Sequence, residues 1–461
     1  MDSLFAKEWH LFHWVVAFLW LAAVLALQWK LGQGFIAQAN QDVSRFDQGA
    51  YLDLARSNLP FVWPASTDGI RSPLFPFLIK SWVSDDNAQF FAAAKQANVC
   101  FGLAATALLA FYFLLKLPLL PAMNVGTISA LIILPASIFV TAEVVYYTAY
   151  FFFWIVGWRL LVGNPLRNYA LAGVLCAAAY LAKPSTLLLS ACLIALSVVR
   201  WIQVERSGTE DILWLGRRFV MGAIVFYVSF LLPVLPKAFE TYRRAGDPFQ
   251  NAAQYCFWMD NWDECVPRLR YFSANHIKEL PPAKRPSATN YWQQHTRDQI
   301  SSRLSSGMIE QAHNFLFAEK SRKNFIHPSP QLRIVLPLRG AYPVALLVAT
   351  LLLATQGATG KSRPQTDRRA LWALAAVGFA AHFLAASFYT PIAGGPRFIL
   401  AVYIPMLFSL AMGIEYLREE RSQGWRVGAV QLIHLVIAGQ LACQLVKLSM
   451  ATTFGDPRGT M

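Results

Sequence analysis

Two charged side chains near the ends of one polar loop have the chemistry of a base and an anion-binding group. Asp47 stands near the start of this loop, and Arg71 opens the run RSPLFP near its end. A carboxylate can take a proton from a hydroxyl or an amine, and a guanidinium can hold a phosphate through a forked pair of hydrogen bonds. Simpler interpretations remain open, because Asp47 could cap a short helix and Arg71 could reach toward lipid headgroups.

The residues that follow Asp47 could support it. If the run FDQGAYLDL is helical, Asp47 and Tyr51 share one face at positions i and i+4, and Asp53 lies just beyond Tyr51. Pro73 and Pro76 of the run RSPLFP restrict the backbone and predict a rigid entry to the next helix. We therefore interpret Tyr51 and Asp53 as candidate supporting residues.

Three further ionisable residues interrupt apolar sequence. Glu143 lies between two apolar runs, where an acid needs a partner or a wet cavity. It could orient a sugar, bind a metal ion, or pair with Lys183 or Arg397. Lys183 and Arg397 each stand beside a proline. These two cations could bind the phosphate of a lipid-linked substrate or act as interfacial anchors.

Composition indicates which elements must position these residues. The chain has 461 residues, of which 56% are hydrophobic and 14% are charged, whereas soluble domains carry about 25% charged residues. Its apolar residues gather in blocks close to the length of a bilayer crossing, about 20 residues. This pattern predicts an all-α polytopic membrane protein with about eleven transmembrane helices. The predicted spans are 9–30, 91–115, 122–141, 144–163, 168–183, 185–203, 216–236, 339–356, 370–390, 397–416 and 427–448.

The distribution of Lys and Arg predicts which side each connection faces. With the N-terminus inside, most cations of the short connections fall in the cytoplasm, as the positive-inside rule requires. The loop 31–90, the segment 237–338 and the C-terminal tail are then exported. This orientation also places the ionisable residues discussed above near span ends on the outer face, which predicts one shared site. These residues are Asp47, Arg71, Glu143, Lys183 and Arg397.

We predict three units along the chain. The first is a transmembrane module over 1–236 that carries the catalytic periplasmic loop 31–90. A periplasmic or interfacial segment over 237–338 follows, and C-terminal transmembrane helices occupy 339–461. The middle segment is rich in aromatic residues, which serve as membrane anchors or as surfaces on which sugar rings stack.

Two of the six cysteines lie in the polar run CFWMDNWDEC. If this segment is exported, a disulfide between Cys256 and Cys265 could close a small loop. Two unpaired thiols are the alternative. The sequence alone does not decide between them.

Composition and motifs also argue against several classes of function. The net charge of +14 is accompanied by no zinc spacing, RNA-binding signature or basic arm, so we expect membrane lipids and no nucleic acid among the partners. The histidines lack the spacing of metal ligands. Glycine-rich phosphate loops, zinc-protease helices and nucleophile elbows are also absent from the sequence.

Five motifs occur in an order that resembles the GT-C superfamily of membrane glycosyltransferases. They are FDQGAY, RSPLFPFL, TAEVVYYTAYFFF, GVLCAAAYLAKPSTLLL and GGPRFILAVYIPML. The nearest resemblance is to the branch that includes the lipid A aminoarabinose transferase and the protein O-mannosyltransferases. It implies a helical membrane protein whose site opens to the periplasm or lumen, and we expect a bacterial inner membrane. It also implies a polyprenyl-phosphate-linked sugar donor and a lipid, glycan or protein acceptor.

The resemblance assigns a role to individual residues of this chain. Asp47 resembles the catalytic acid of the first loop, and Glu143 matches an acidic position near the site. The resemblance also implies basic residues that hold the donor phosphate, and in this chain the matching positions are Arg71, Lys183 and Arg397. Many relatives have Glu where this chain has Gln48, so a second carboxylate is missing and a divalent metal is doubtful there. No other cofactor is indicated.

These inferences predict an inverting glycosyltransferase. Asp47 would act as the base, and the acceptor would displace the polyprenyl phosphate in one step. The alternative is a transporter or flippase of lipid-linked glycans that uses the same cations as an anion path. Transporters often have paired halves with broken helices, and no such pairing is evident here. The sequence does not identify the sugar or the acceptor.

Overall fold

The structure, a computed structural model, describes residues 11–38, 40–44, 47–57, 68–163, 165–207, 212–273, 279–317, 336–354, 365–392, 398–420 and 425–450. All regular structure within these ranges is helical, which confirms the predicted all-α class. The first helices are α1 (Leu11–Gln38), α2 (Gln48–Arg56), α3 (Leu74–Ile79), α4 (Asn87–Lys116), α5 (Leu119–Ser137), α6 (Glu143–Val162), α7 (Leu166–Ala182), α8 (Thr186–Ser207) and α9 (Ile212–Ala245). They are followed by α10 (Ala253–Cys256), α11 (Trp262–Ser273), α12 (Ala288–Gln294), α13 (Arg297–Phe317), α14 (Leu336–Ala354), α15 (Gln365–Tyr389), α16 (Leu400–Glu420) and α17 (Trp425–Met450).

The predicted spans correspond to α1, α4 to α9 and α14 to α17. Within the described ranges, nine helices are long and apolar enough to cross a membrane. Two more contain shorter apolar stretches, Leu166–Ala182 in α7 and Ala341–Thr350 in α14. The membrane class is therefore confirmed, and the count of eleven crossings stays a prediction. The predicted boundary after residue 236 falls inside α9, which continues to Ala245.

The centre of the bundle is formed by α6 and α16. Phe113 of α4, Phe151 of α6 and Phe408 of α16 meet there, with ring centroids 5.5 to 5.7 Å apart. Each such aromatic pair adds about 0.5–1.5 kcal/mol beyond the apolar area that it buries. This packing holds α6, and with it Glu143 at its first residue, in a fixed position.

Close helix packing fixes α7, the helix that ends just before Lys183. Gly173 of α7 lies so near α9 that a Cβ atom at this position would overlap the carbonyl of Phe226. Small residues allow membrane helices to approach each other in this way. The position of Lys183 is therefore set by contact between two long helices.

Segment 237–338 is docked onto the first loop and onto α15 in the part of the segment that the structure describes. The backbone N–H of Ala252 donates to the carbonyl of Gly69 at 2.7 Å, and the Asn251 side chain donates to the carbonyl of Ile70 at 3.1 Å. Gly307 of α13 contacts the Ser387 carbonyl so closely that no larger residue fits without movement. These contacts bring the segment beside the loop that carries Arg71.

The two cysteines of this segment, Cys256 and Cys265, form a disulfide in the structure. Their Cα atoms are 5.5 Å apart. The bond joins α10 to α11 and encloses the turn between them. The sequence left open either a disulfide or two unpaired thiols, and the structure has the disulfide.

Candidate active site

Asp47 and Arg71 form an ion pair at the beginning of α2. The Nη2 atom of Arg71 lies 2.6 Å from Oδ1 of Asp47. Asp47 occupies the N-cap position of α2, but its side chain makes no capping hydrogen bond. Its carboxylate is therefore turned toward Arg71, and the interpretation of Asp47 as a simple helix cap is not supported.

A second carboxylate, Asp68, holds Arg71 from the other side. Its Oδ2 atom is 2.6 Å from Nη1 of Arg71, and its Oδ1 atom accepts the backbone N–H groups of Ile70 and Arg71 at 2.8 and 2.7 Å. Gly69 adopts φ 83°, a conformation that glycine accommodates without strain. Sequence reasoning missed Asp68, although the Asp-Gly pair two residues before Arg71 is a turn signal.

The charge on Arg71 is stabilised by its neighbours. Partial burial lowers the pKa of Arg71, but Asp47 and Asp68 raise it by more, so that its pKa lies above the ordinary value. The guanidinium therefore stays charged. It is available as a fixed, positively charged donor of hydrogen bonds.

Glu143 and Lys183 form the second ion pair. The Nζ atom of Lys183 is 2.6 Å from Oε1 of Glu143, whose side chain is only 8% exposed. Lys183, one of the partners that the sequence left open for Glu143, is thus in contact with it. The ammonium also lies 5.8 Å over the ring of Tyr146, whose hydroxyl is 2.9 Å from that of Ser185.

The two ion pairs lie at the same end of the bundle. The hydroxyl of Ser72, next to Arg71, donates to the carbonyl of Tyr180 at 3.4 Å, in the last turn of α7 before Lys183. One buried cluster contains Phe75 of α3 together with Ala142, the residue before Glu143. The fold therefore gathers Asp47, Arg71, Glu143 and Lys183, whereas Arg397 lies outside the described residues.

The two candidate supporting residues occupy different environments. The backbone N–H of Tyr51 donates to the carbonyl of Asp47 at 3.1 Å, as in a helix, and its buried ring packs edge-on against Phe75 with centroids 5.4 Å apart. Asp53 is 79% exposed and faces Arg56 at 4.0 Å. Tyr51 thus packs behind Asp47, and the Asp53 carboxylate is largely in solvent.

Gln48 has a structural role that its sequence neighbourhood did not reveal. Its carbonyl oxygen accepts the Asn40 amide and the backbone N–H of Val140, both at 2.9 Å. Its amide donates to Asn40 Oδ1 at 3.0 Å and to the Asp42 carbonyl at 3.2 Å. The side chain is fully buried and ties the first loop to the end of α5.

These residues do not fit a divalent metal in their present arrangement. In the part of the chain that the structure describes, no three His, Cys, Asp or Glu side chains gather as a metal site. Asp47 and Asp68 converge instead on the Arg71 guanidinium, whose positive charge opposes a cation between them.

A buried lysine that sequence reasoning missed lies behind the site. Lys237 of α9 is only 2% exposed, and its Nζ atom donates to the Tyr180 hydroxyl at 3.0 Å and lies 4.2 Å over the same ring. The carbonyl of Tyr180 accepts the Ser72 hydroxyl. The lone cation in the apolar run LLPVLPKAF was the available signal.

Comparison with known proteins finds a likeness in fold. No protein-family model matches the sequence, and no curated protein matches it either. The apo oligosaccharyltransferase of Archaeoglobus fulgidus superposes with a TM-score of 0.52 at 13% identity, over 99% of this chain and 57% of that protein. The same enzyme, AglB, in complex with an inhibitory peptide and a dolichol-phosphate gives a TM-score of 0.51 at 13% identity, over 97% and 57%.

A third structure of that oligosaccharyltransferase, tethered to an acceptor peptide containing the NVT sequon, gives a TM-score of 0.50 at 14% identity, over 99% of this chain and 57% of that one. The chain thus spans little more than half the length of the solved structures that it resembles. The particular GT-C branch that the motifs resemble stays a prediction. By its fold, the chain is a helical membrane protein that resembles an archaeal oligosaccharyltransferase.

Proposed function

We propose that the chain is an inverting glycosyltransferase that moves a hexosyl or pentosyl unit from a polyprenyl-phosphate-linked donor to a lipid, glycan or protein acceptor. The observation that carries this proposal is the convergence of two ion pairs, Asp47 with Arg71 and Glu143 with Lys183, at one end of a GT-C type bundle. Such a site offers a base and cations together. We place it in a bacterial inner membrane, with the site facing the periplasm.

The proposed reaction is a single displacement. Asp47 takes the proton of the acceptor hydroxyl or amine while the acceptor atom forms a bond to the anomeric carbon of the sugar. The bond between that carbon and the donor phosphate oxygen breaks, and its electron pair leaves with the phosphate. Attack on the face opposite the leaving group inverts the configuration.

The geometry couples proton transfer to charge on the leaving group. Arg71 is paired with two carboxylates in the resting site, Asp47 and Asp68, each at 2.6 Å. When Asp47 takes a proton it loses its charge, and the guanidinium then has a stronger attraction for the phosphate. Asp68 keeps the guanidinium in place during this change. Lys183, and by our proposal Arg397, stabilise the same growing negative charge.

The solved structures support the choice of substrates without identifying them. The archaeal oligosaccharyltransferase was captured with a dolichol-phosphate and with peptides, including an acceptor peptide. A dolichol-phosphate has the same lipid-phosphate chemistry as the donor that we propose. The acceptor of this chain need not be a peptide, because the two proteins are only 13% identical over the matched region.

Replacement of Asp47 by Asn tests the proposed base. Asn keeps the size of the side chain but cannot take a proton, so we expect transfer to fall by at least about 10²-fold. The measurement is sugar transfer from polyprenyl-phosphate donors by the purified chain in detergent. A flippase would show no turnover there, because detergent provides no second compartment.

The matched control is Asp85→Asn. Asp85 is an exposed carboxylate of the same loop 31–90, so its replacement should leave transfer at the wild-type rate. Wild-type transfer by Asp47→Asn would exclude Asp47 as the base. An active wild type with an inactive Asp85→Asn variant would show that loss of any carboxylate in this loop impairs the protein.

A further inference from the structure

A cleft of about 430 Å³, lined mainly by polar residues, opens beside segment 237–338, and none of its lining residues belongs to the two ion pairs. It lies between α12, α13 and the residues that follow α15. Sites for small molecules typically span about 300–1,000 Å³, so the cleft has room for a small saccharide. Its polar lining includes Asp260, Tyr291, His295, Gln299, Arg303 and Glu310.

The walls of the cleft are held by Arg303, whose side chain is only 6% exposed. Its Nε atom donates to the Phe388 carbonyl at 2.9 Å, Nη1 to the Tyr291 hydroxyl at 2.8 Å and Nη2 to the Phe257 carbonyl at 3.2 Å. The guanidinium also lies 4.1 Å over the Phe388 ring. Arg303 therefore joins three parts of the protein and is already engaged, so it is poorly suited to capture an anionic ligand.

A fixed carboxylate, Asp260, stands at the mouth of the cleft. Its Oδ2 atom is 3.1 Å from His295 Nε2, and its Oδ1 atom is 3.6 Å from Arg303 Nη1. His295 is itself fixed, because its Nδ1 atom is 2.9 Å from the Tyr291 carbonyl and its ring stacks on Tyr291 with centroids 4.0 Å apart. The side chain of Asp260 is 54% exposed. Asp260 is thus a positioned acceptor with room to receive a ligand.

Apart from Arg303 and His295, which are already engaged, the ionisable acids of the cleft offer hydrogen-bond acceptors to a ligand. Asp260 and Glu310 provide two carboxylates, each with two oxygens that can accept hydrogen bonds from neighbouring hydroxyls of one sugar. Partial burial raises the pKa of Glu310 against the opposing effect of His313. A hydroxyl or amino donor on a ligand would offset this burial, whereas a phosphate would be repelled by both carboxylates.

A small buried cluster connects the cleft to the Arg71 turn. Thr390 lines the cleft, and its hydroxyl accepts a hydrogen bond from the buried amide of Gln311 at 3.1 Å. The carbonyl oxygen of that amide has no hydrogen-bond partner among the described residues, so a water molecule or a ligand hydroxyl would complete it. Ile392 is buried in one cluster with Ile70, the neighbour of Arg71. The cleft and the Arg71 turn therefore lie on two sides of one small cluster.

We propose that this cleft binds the carbohydrate part of the acceptor. The inference rests on the proposed function and adds the acceptor class: a glycan of more than one sugar, uncharged or bearing amino groups. One sugar occupies the cleft, and a second presents its hydroxyl to Asp47 for transfer. Glu310 and Asp260 are the residues that select such a ligand over an anionic one.

Binding is tested on the full chain in detergent by saturation-transfer NMR. The probes are glucosamine, maltose and galacturonic acid, which are cationic, neutral and anionic. We expect glucosamine and maltose to receive saturation and galacturonic acid to receive much less. Glu310→Gln keeps the shape but removes the charged acceptor, so it should weaken glucosamine binding about tenfold. Asp298→Asn is the matched control, because Asp298 is an exposed acid in the first turn of the same helix.

The outcomes separate this inference from the proposed function. Equal saturation of all three probes, no saturation of any, or wild-type binding by both Glu310→Gln and Asp260→Asn would overturn the cleft assignment. Preferential binding of a peptide without hydroxyls, such as trialanine, would overturn it as well. In the transfer assay, Glu310→Gln should raise the KM for a glycan acceptor at unchanged kcat, whereas Asp47→Asn should lower kcat with sugar binding intact. A wild type that binds sugars but transfers none would contradict the proposed function and leave the cleft assignment intact.

Discussion

The amide nitrogen of Gln48, the residue next to the proposed base, makes hydrogen bonds that a carboxylate could not make. Its oxygen accepts two hydrogen bonds and its nitrogen donates two, all within a buried network that includes Asn40 and Val140. A carboxylate has no donor to offer. At this position it would face the Asn40 Oδ1 and Asp42 carbonyl oxygens, both of which are acceptors. The hydrogen-bond network therefore favours glutamine over glutamate at this position.

We therefore expect Gln48→Glu to destabilise the protein. Two donor–acceptor contacts become contacts between acceptors, and leaving a buried polar group unsatisfied costs about 1–3 kcal/mol. The midpoint of thermal unfolding in detergent should fall measurably. Gln293→Glu, at an exposed position on α12, should leave the midpoint unchanged. Equal midpoints for wild type and Gln48→Glu would contradict the buried network.

At the scale of elements, α10 and α11 depend on a covalent link to each other. The Cys256–Cys265 disulfide encloses the turn that presents Asp260 to the cleft. Cys256 and Cys265 are both fully buried, together with Met259 and Ile392. Because α10 and α11 are short, the disulfide and the buried cluster around it together hold this turn in place.

Replacing both Cys256 and Cys265 by Ser should loosen this turn. Loss of a native disulfide costs about 2–4 kcal/mol, chiefly through the greater freedom of the unfolded chain. We expect faster backbone hydrogen exchange over 253–265 and weaker sugar binding, with the transmembrane helices unaffected. The matched control replaces the free, exposed Cys100 and Cys443 by Ser. Exchange that is slow in both variants would show that packing alone holds the turn.

At the scale of the whole molecule, the sides of the bundle are apolar, and the described ion pairs of the candidate site, the disulfide and the cleft lie at one end. Peripheral helices expose large apolar side chains, for example Phe18 on α1, Leu232 on α9 and Leu432 on α17. In a membrane these side chains face acyl chains. The ion pairs, the disulfide and the cleft all belong to the loops at the end of the bundle where α6 begins and α7 ends.

The positive-inside rule predicts that this end faces outward. In cells that make Asp85→Cys, a membrane-impermeant maleimide should label the new cysteine from outside. Arg167→Cys, at the opposite end of α7, should be labelled only after lysis. Labelling in the reverse pattern would invert the assigned orientation and place the proposed site in the cytoplasm.

The sequence by itself determined the class of the protein and the approximate place of its chemistry. Apolar run length must match the thickness of a bilayer, so helices and membrane character follow from local composition. Charges near a membrane are costly, so Asp47, Arg71, Glu143 and Lys183 were identifiable one by one. Only the tertiary structure decided the partners: Asp68 beside Arg71, Lys183 beside Glu143, Lys237 behind Tyr180, and the walls of the cleft. Such contacts join residues far apart in the chain, and they depend on how loops and helix ends pack, which no local pattern encodes.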